Sequence, residues 1–254
     1  EQGGAAMVDI NFGCPARVVC GKACGSAVMR DPKLAGEILK AVAGAVSVPV
    51  SVKMRTGWDE TMKTAVEIAR RAQNEGFALV TVHGRTRAQR FSGTVNRADI
   101  AEVVRSLTIP VLANGDVTTP QQARAMLEET GAAGVMIGRG CYGNPWLFER
   151  AQAVIDGRDD PGEPTTEAVH RVVREHLTAL LEGEDMDEEG RERALLRTFR
   201  KHLRWYLQGF CVQRPRADAV LARMMRLEEV AALEGAIEAF FDAVPPQARR
   251  ESGK

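Results

Sequence analysis

Cys14 sits in D-I-N-F-G-C-P, three residues after Asn11 and directly after a flexible Gly13. A thiol of ordinary pKa, about 8.5, is protonated at neutral pH and can give up a proton without an activating base, whereas nucleophilic chemistry calls for an adjacent histidine. Lys53, in S-V-K-M-R-T-G, can aim an ammonium into a pocket mouth or serve as a Schiff-base amine. His83 and Arg85, in T-V-H-G-R-T, suit a cationic rim for an anionic ring or phosphate. Asn114-Gly115-Asp116 and Gly138-Arg139-Gly140 are two glycine-bearing turns of the kind that offer bare backbone N–H groups to a phosphate, with Arg139 adding charge.

Each of these groups falls at the end of an apolar segment. Strands are expected over 8–11, 48–53, 79–83, 109–114 and 134–138, as in VPVSVKM and IPVLANG, whose apolar runs suit parallel strands buried on both faces. Amphipathic helices are expected between them, with Leu34, Ile38 and Val42 on one face near 33–44, and Met62, Ala65, Val66, Ala69 and Ala72 on the next. Asp31-Pro32 starts the first of these, and Thr119, Pro120 and Gln122 form a capping box that starts another. Repeated βα units with chemistry at the strand C-termini predict an α/β fold of the (β/α)8 TIM-barrel type, an open doubly wound sheet being the alternative. Five strands leave the barrel short by about three units of about 30 residues, so the chain, which begins without Met, is expected to be a fragment lacking the first three.

After Asn144-Pro145-Trp146 the character changes. Residues 156–165 (DGRDDPGEPT) are expected to be a linker, followed by helical periodicity near 165–182, 188–208, 216–225 and 228–242, with breaks at Gly183, Gly209 and Pro215. Net charge is zero, so any polyanion signal must be local. Such a signal lies between Arg191 and Arg226, which includes R-K-H-L-R-W-Y (Arg200 to Tyr206) and is segregated from the acidic run at 182–189. Ten basic residues (191, 193, 197, 200, 201, 204, 214, 216, 223 and 226) face only Glu192 and Asp218 there, and Trp205 and Tyr206 lie within the stretch, so RNA contact is favoured over a merely solvated face. Five cysteines without paired C-x-x-C spacing read as reduced thiols rather than a metal or iron-sulfur site. No signal peptide or membrane-length apolar run is visible, and a cytoplasmic monomer is expected.

D-I-N-F-G-C-P with C-G-K-A-C-G-S-A, S-V-K-M-R-T-G, V-H-G-R-T, A-N-G-D and I-G-R-G is similar, in order and spacing, to the tRNA-dihydrouridine synthases, with the bacterial subfamily B the nearest pattern. That resemblance implies a TIM-barrel domain over 1–155 that binds FMN, reduced by NADPH, and a helical tRNA-binding domain over 165–245. It implies reduction of a flipped-out tRNA uridine, with Cys14 giving the proton to C5, Lys53 and His83 touching the flavin, and Asn114, Gly115, Asp116, Gly138 and Arg139 cradling its phosphate. Asn11 would orient the uracil, and Arg85, Arg200 and Lys201 would hold the RNA substrate. The family's proline- and methionine-containing first strand and a later flavin-contacting glutamine are not in this sequence. Competing readings are a non-catalytic RNA-binding protein, an FMN barrel acting on free pyrimidines or dihydroorotate, and a lysine aldolase using Lys53.

Overall fold

The computed structural model describes residues 3–182, 188–211 and 215–244. Five strands, β1 (Val8–Phe12), β2 (Val50–Arg55), β3 (Leu79–His83), β4 (Val111–Asn114) and β5 (Gly134–Met136), form one parallel sheet in the order of the chain. A doubly wound sheet reverses its strand order at a switch point, and this one does not. Successive parallel neighbours that never reverse are the topology of a (β/α)8 barrel, of which these are five consecutive units. Helices α2 (Pro32–Ala43), α3 (Ala65–Asn74), α4 (Arg97–Arg105) and α5 (Pro120–Thr130) make the crossovers. The β1–α2 connection carries a single helical turn, α1 (Arg17–Cys20), and a 3-10 segment, Gly25–Arg30.

Alternation along the strands sorts the sheet into two unlike faces. Phe12, Val50, Val52, Met54, Val80, Val82, Val111 and Ala113 are buried on the face the helices cover, against Ile68, Ala69 and Ala72 of α3 and Ile100 and Val103 of α4. Each such aliphatic side chain contributes about 1.5–3 kcal/mol by leaving water. The intervening residues, Asp9, Asn11, Ser51, Lys53, Arg55, Thr81, His83 and Asn114 together with the apolar Leu79 and Leu112, turn to the other face, and neighbouring strands place them side by side, Asn11 beside Lys53, Arg55 beside His83, and His83 beside Asn114. The apolar runs expected from sequence are therefore half apolar and half polar.

The strands begin at Val50 and Val111 rather than two residues earlier because Pro49 and Pro110 have no N–H for the ladder; their carbonyls still accept, from Val8 and Val80. The buried face of α2 is Ala35 and Leu39, with Leu34 exposed, and that of α3 is Ala65, Ile68, Ala69 and Ala72, with Met62 outside the helix. Asp31 caps α2 through Lys33 N and Leu34 N, and the Thr119–Gln122 capping box is present at α5.

The chain divides into two compact units, one running to Gly140 and taking in Val154–Gly157, the other Cys141–Ala153 with the chain from Arg158 onward. The second contains α7 (Thr166–Glu182), α8 (Glu188–Cys211), α9 (Pro215–Met224) and α10 (Val230–Asp242), after α6 (Leu147–Ile155). Val173, Leu196, Phe199, Leu203, Phe210, Met224, Ile237 and Phe240 form its core. Gly209 does not break α8, which continues to Cys211 with Gly209 buried inside it, while the expected break at Gly183 lies outside the described residues. The expected linker is tied down, since buried Arg150 forms a fork with Asp160 at 2.8 and 2.9 Å and pairs with Glu163. Among the described residues no helix is long and apolar enough to cross a membrane.

Candidate functional site

The end of β1 presents Cys14 on a backbone fixed from both sides. Asn11 Oδ1 accepts from Gly13 N at 2.9 Å and Cys14 N at 3.0 Å, and the Cys14 carbonyl accepts from Ser26 Oγ at 2.8 Å and Ser26 N at 3.1 Å. Gly25 at φ +58 makes that approach possible, for a Cβ there would lie 2.9 Å from the Cys14 carbonyl oxygen. The half-exposed Cys14 sulfur makes no hydrogen bond among the described residues. Because its oxygen is spent on the turn, Asn11 has only its Nδ2 donors left for a ligand.

Lys53, Arg55, His83 and Asn114 continue the polar face. Burial, reinforced by the charge of Arg55 and opposed by Asp9, lowers the Lys53 pKa. Burial and then the charges of Arg55, Lys53 and Arg85 push His83 down to about 3, so its ring is neutral at pH 7. Arg85 Nη1 lies 3.4 Å from His83 Nε2; as guanidinium can only donate, Nε2 is the acceptor and the ring proton is on Nδ1. Asn114 Nδ2 donates to the Met136 carbonyl at 2.7 Å, joining the ends of β4 and β5.

Arg55 is the residue that sequence reasoning passed over. It is 2 % exposed and donates to three carbonyls, Gly13 at 2.8 Å, Thr86 at 2.9 Å and Arg90 at 2.7 Å, so it ties the cysteine loop to the loop after β3. Burial and the charge of Arg85 bring its pKa down to about 10, which leaves it charged at pH 7. Phe91, on that loop, lies under two guanidiniums, Arg139 at 4.4 Å and Arg55 at 5.5 Å from the ring centre.

Arg85 is a correction. Its guanidinium, 3 % exposed, grips both oxygens of Asp116 at 2.8 and 2.5 Å and also donates to the Ser92 and Gly93 carbonyls, so it has no donors to spare for a substrate. Asp116 is equally committed. Burial raises its carboxyl, but the hydrogen bonds and charge of Arg85 outweigh this and hold it below the usual carboxylate range. Anything Asp116 offers an anion must come from its amide. Gly115 at φ +133 and Asp116 at φ +50 turn the chain sharply, and the amides of Gly115, Asp116 and Val117 donate to no backbone carbonyl among the described residues. A Cβ on Gly115 would meet Val95 at 2.5 Å and one on Gly140 the Val117 carbonyl at 2.0 Å, whereas Gly138 has open space beside it.

These groups line one cavity of about 460 Å³, bounded by Asn11, Cys14, Lys53, Arg55, His83 and Phe91 on one side and by Asn114–Thr118 and Gly138–Gly140 on the other. That size lies in the range of small-ligand sites. Ten of the sequence-expected site residues are therefore accounted for in the sheet unit, nine of them around this cavity and Arg85 behind its wall. Cationic and neutral donors meeting a glycine turn fit a flat, phosphate-bearing cofactor.

The helical unit separates the remaining candidates. Lys201 is exposed, with Arg197, Arg204, Arg216, Arg223 and Arg226, and none of these six has a carboxylate partner among the described residues. Arg200 is corrected to a structural role, since it donates to the Leu196, Met225 and Leu227 carbonyls and fastens α8 to the end of α9. Tyr206 is core, 7 % exposed, with its hydroxyl 3.3 Å from His176 Nδ1, while Trp205 stacks on Tyr142 at 4.4 Å. The side chains of Arg191 and Arg193, and Arg214, lie outside the described residues.

Comparison with known proteins gives the family. The family described as dihydrouridine synthase matches residues 1–243. A tRNA-dihydrouridine synthase B of Pseudomonas putida is 44% identical over 178 residues, 70% of this chain and 53% of that protein. A tRNA-dihydrouridine synthase B of Xanthomonas axonopodis pv. citri is 48% identical over 177 residues, 69% of this chain and 53% of its own length. A probable tRNA-dihydrouridine synthase of Rhodobacter capsulatus is 45% identical over 176 residues, 69% and 54% of the two chains. The chain thus spans about half the length of the curated relatives it matches.

Proposed function

Because the chain belongs to the dihydrouridine synthase family, we propose that it carries the proton-donating half of a tRNA uridine reductase, converting the C5–C6 double bond of one uridine to 5,6-dihydrouridine. The observation that carries this reading is a thiol on a doubly anchored backbone, Cys14, facing the same cavity as Lys53, neutral His83 and the Gly115 and Gly138 turns. FMN, reduced by NADPH, would supply the hydride equivalent that C6 of the uracil accepts.

The protein's own part is positioning and proton delivery. Cys14 Sγ–H gives its proton to C5, and the thiolate left behind recovers one from solvent. Asn11, with Oδ1 held by the turn, presents Nδ2 to a uracil carbonyl and so aligns C5 with the sulfur. Lys53 places positive charge beside the flavin, and His83 offers a neutral Nδ1–H that cannot compete with Cys14 as an acid, because an imidazole that titrates near 3 is already deprotonated. The amides of Gly115 and Asp116, open Gly138 and the cationic Arg139 hold the cofactor phosphate. The matching domain assignment is a cofactor-binding region over 1–155 and a tRNA-docking region over 165–245, with Lys201 and its exposed basic neighbours meeting phosphates. Remote contacts are needed because unstacking a base costs a few kcal/mol.

Titrating the protein with FMN and following quenching of flavin fluorescence tests the cofactor assignment. Saturable quenching in wild type, weakened by Gly138→Asp, which sets a carboxylate against the phosphate, is expected. Equal quenching in both proteins would place the flavin elsewhere.

A further inference from the structure

Three loops at the C-terminal ends of β1, β2 and β3 contribute a cluster that the cavity does not use. Arg30, the last residue of the 3-10 segment, has its guanidinium carbon 5.0 Å from the ring centre of Trp58, and Arg87 has its own at 4.3 Å from the same ring. We propose that Arg30, Trp58 and Arg87 form a phosphodiester clamp that grips the sugar-phosphate backbone of the RNA substrate at the rim of the catalytic unit. This rests on the tRNA reading given above.

The indole is held firmly. Thr56 N donates to the Arg85 carbonyl, Arg87 N to Gly57 and Ala88 N to Trp58, so the loops after β2 and β3 run side by side as an extension of the sheet. Thr64 Oγ1 donates to the Met29 carbonyl at 2.7 Å and ties the end of the 3-10 segment to the same place. Two guanidiniums stacked on one fixed plate lose much of the rotamer freedom that usually makes arginine costly to immobilise.

Both remain unspent. Neither Arg30 nor Arg87 has a carboxylate partner among the described residues, and Arg87 Nε is buried without any hydrogen-bond acceptor. The acids nearby are engaged elsewhere: Asp31 caps α2, Asp59 Oδ1 accepts from Thr61 N, Thr61 Oγ1 and Met62 N, and Glu60 pairs with Lys63. Charge is also sorted by end of the sheet. The loops at the C-terminal ends of the strands (13–31, 56–64, 84–96, 115–119 and 137–141) carry Arg17, Lys22, Arg30, Lys63, Arg87, Arg90 and Arg139 against Asp31, Asp59 and Glu60, besides the paired Arg85 and Asp116, while the loops at the other end (44–49, 75–78, 106–110 and 131–133) carry Glu75 and no basic residue. A partner that brings a base to Cys14 passes this rim, and a phosphate's two free oxygens match a guanidinium fork.

The test is the salt dependence of binding to unmodified transcribed tRNA, followed by fluorescence anisotropy from about 50 to about 300 mM KCl for wild type, Arg30→Ala, Arg30→Ala with Arg87→Ala, and Arg105→Ala as a distant control. Each lost phosphate contact flattens the log–log slope by about 0.7–0.9. The double variant is therefore expected to lose about 1.4–1.8 of slope and roughly thirtyfold in affinity near 0.1 M salt, with Arg105→Ala unchanged. Arg30 is exposed and donates no hydrogen bond among the described residues, so its single variant keeps the fold and decides the matter if the double variant does not fold. Wild-type slope in Arg30→Ala overturns the clamp while leaving the tRNA reading intact. No salt-dependent tRNA binding by wild type overturns both.

Discussion

Arg55→Leu is expected to unfasten the cysteine loop from the loop after β3. The guanidinium makes three hydrogen bonds to carbonyls of two loops, and replacing it strands the oxygens of Gly13, Thr86 and Arg90. A charge-assisted bond contributes about 1.5–3 kcal/mol, and water can recover part of that for loop carbonyls, so a net loss of about 4 kcal/mol is a fair sum. A unit of about 140 residues loses roughly 3–4 °C of Tm per kcal/mol, so its melting should fall by roughly 12–16 °C. Arg55→Lys should recover little, since one ammonium cannot span acceptors a planar fork reaches. Arg55 is also the second-largest influence depressing His83, so the His83 ring pKa should rise in the Leu variant. Calorimetry reads the stability, and proton NMR of the four histidines reads the pKa. A Tm loss under about 3 °C together with an unmoved His83 resonance would refute the fastening role.

Three further outcomes follow from the same geometry. His83 has a folded pKa near 3 against about 6.5 unfolded, so between those values the unfolded chain binds the extra proton and stability falls on acidification; between pH 6.5 and 5 wild type should lose about 1.6 kcal/mol more than His83→Asn in urea unfolding. Asp116 has a depressed folded pKa, so its contribution is present above about pH 3.9 and vanishes as pH falls through the lower folded value; Asp116→Asn should be less stable than wild type at pH 7, with the gap narrowing as pH falls below about 3.9 in the same assay. Asn11→Ala frees two amides of the cysteine turn and should cost about 1–2 kcal/mol, with faster alkylation of Cys14 by iodoacetamide as the loop loosens; unchanged labelling would show that the turn holds without it.

Much of this was legible in the chain because local rules decide it. Prolines, caps and strand-end polar residues marked the units, and five strands emerged where apolar segments were expected, trimmed by Pro49 and Pro110. What stayed hidden is a matter of side-chain direction. In α2, Leu34-Ile38-Val42 and Ala35-Leu39 share a four-residue spacing, and only packing against α3 and the 3-10 segment selects the second. Arg55 was readable in principle, since it stands two residues after Lys53 on one strand and must share its face. Phe91 and the Arg85–Asp116 fork were not, because the conformation of a thirteen-residue loop and the pairing of residues 31 apart are set by tertiary structure. The same holds for Arg200, whose neighbours in sequence suggest an RNA contact and whose partners in space are backbone carbonyls.

The central claim is that Cys14 supplies the proton for uridine reduction. Dihydrouridine formed in unmodified tRNA should be quantified by mass spectrometry after incubation with the protein, FMN and NADPH, for wild type, Cys14→Ala and Cys14→Ser. Loss of an essential general acid typically slows a step by about 10²–10⁴-fold, so the Ala variant should fall that far while retaining flavin binding, with the poorly acidic serine close behind it. Dihydrouridine formed at the wild-type rate by Cys14→Ala would contradict the account.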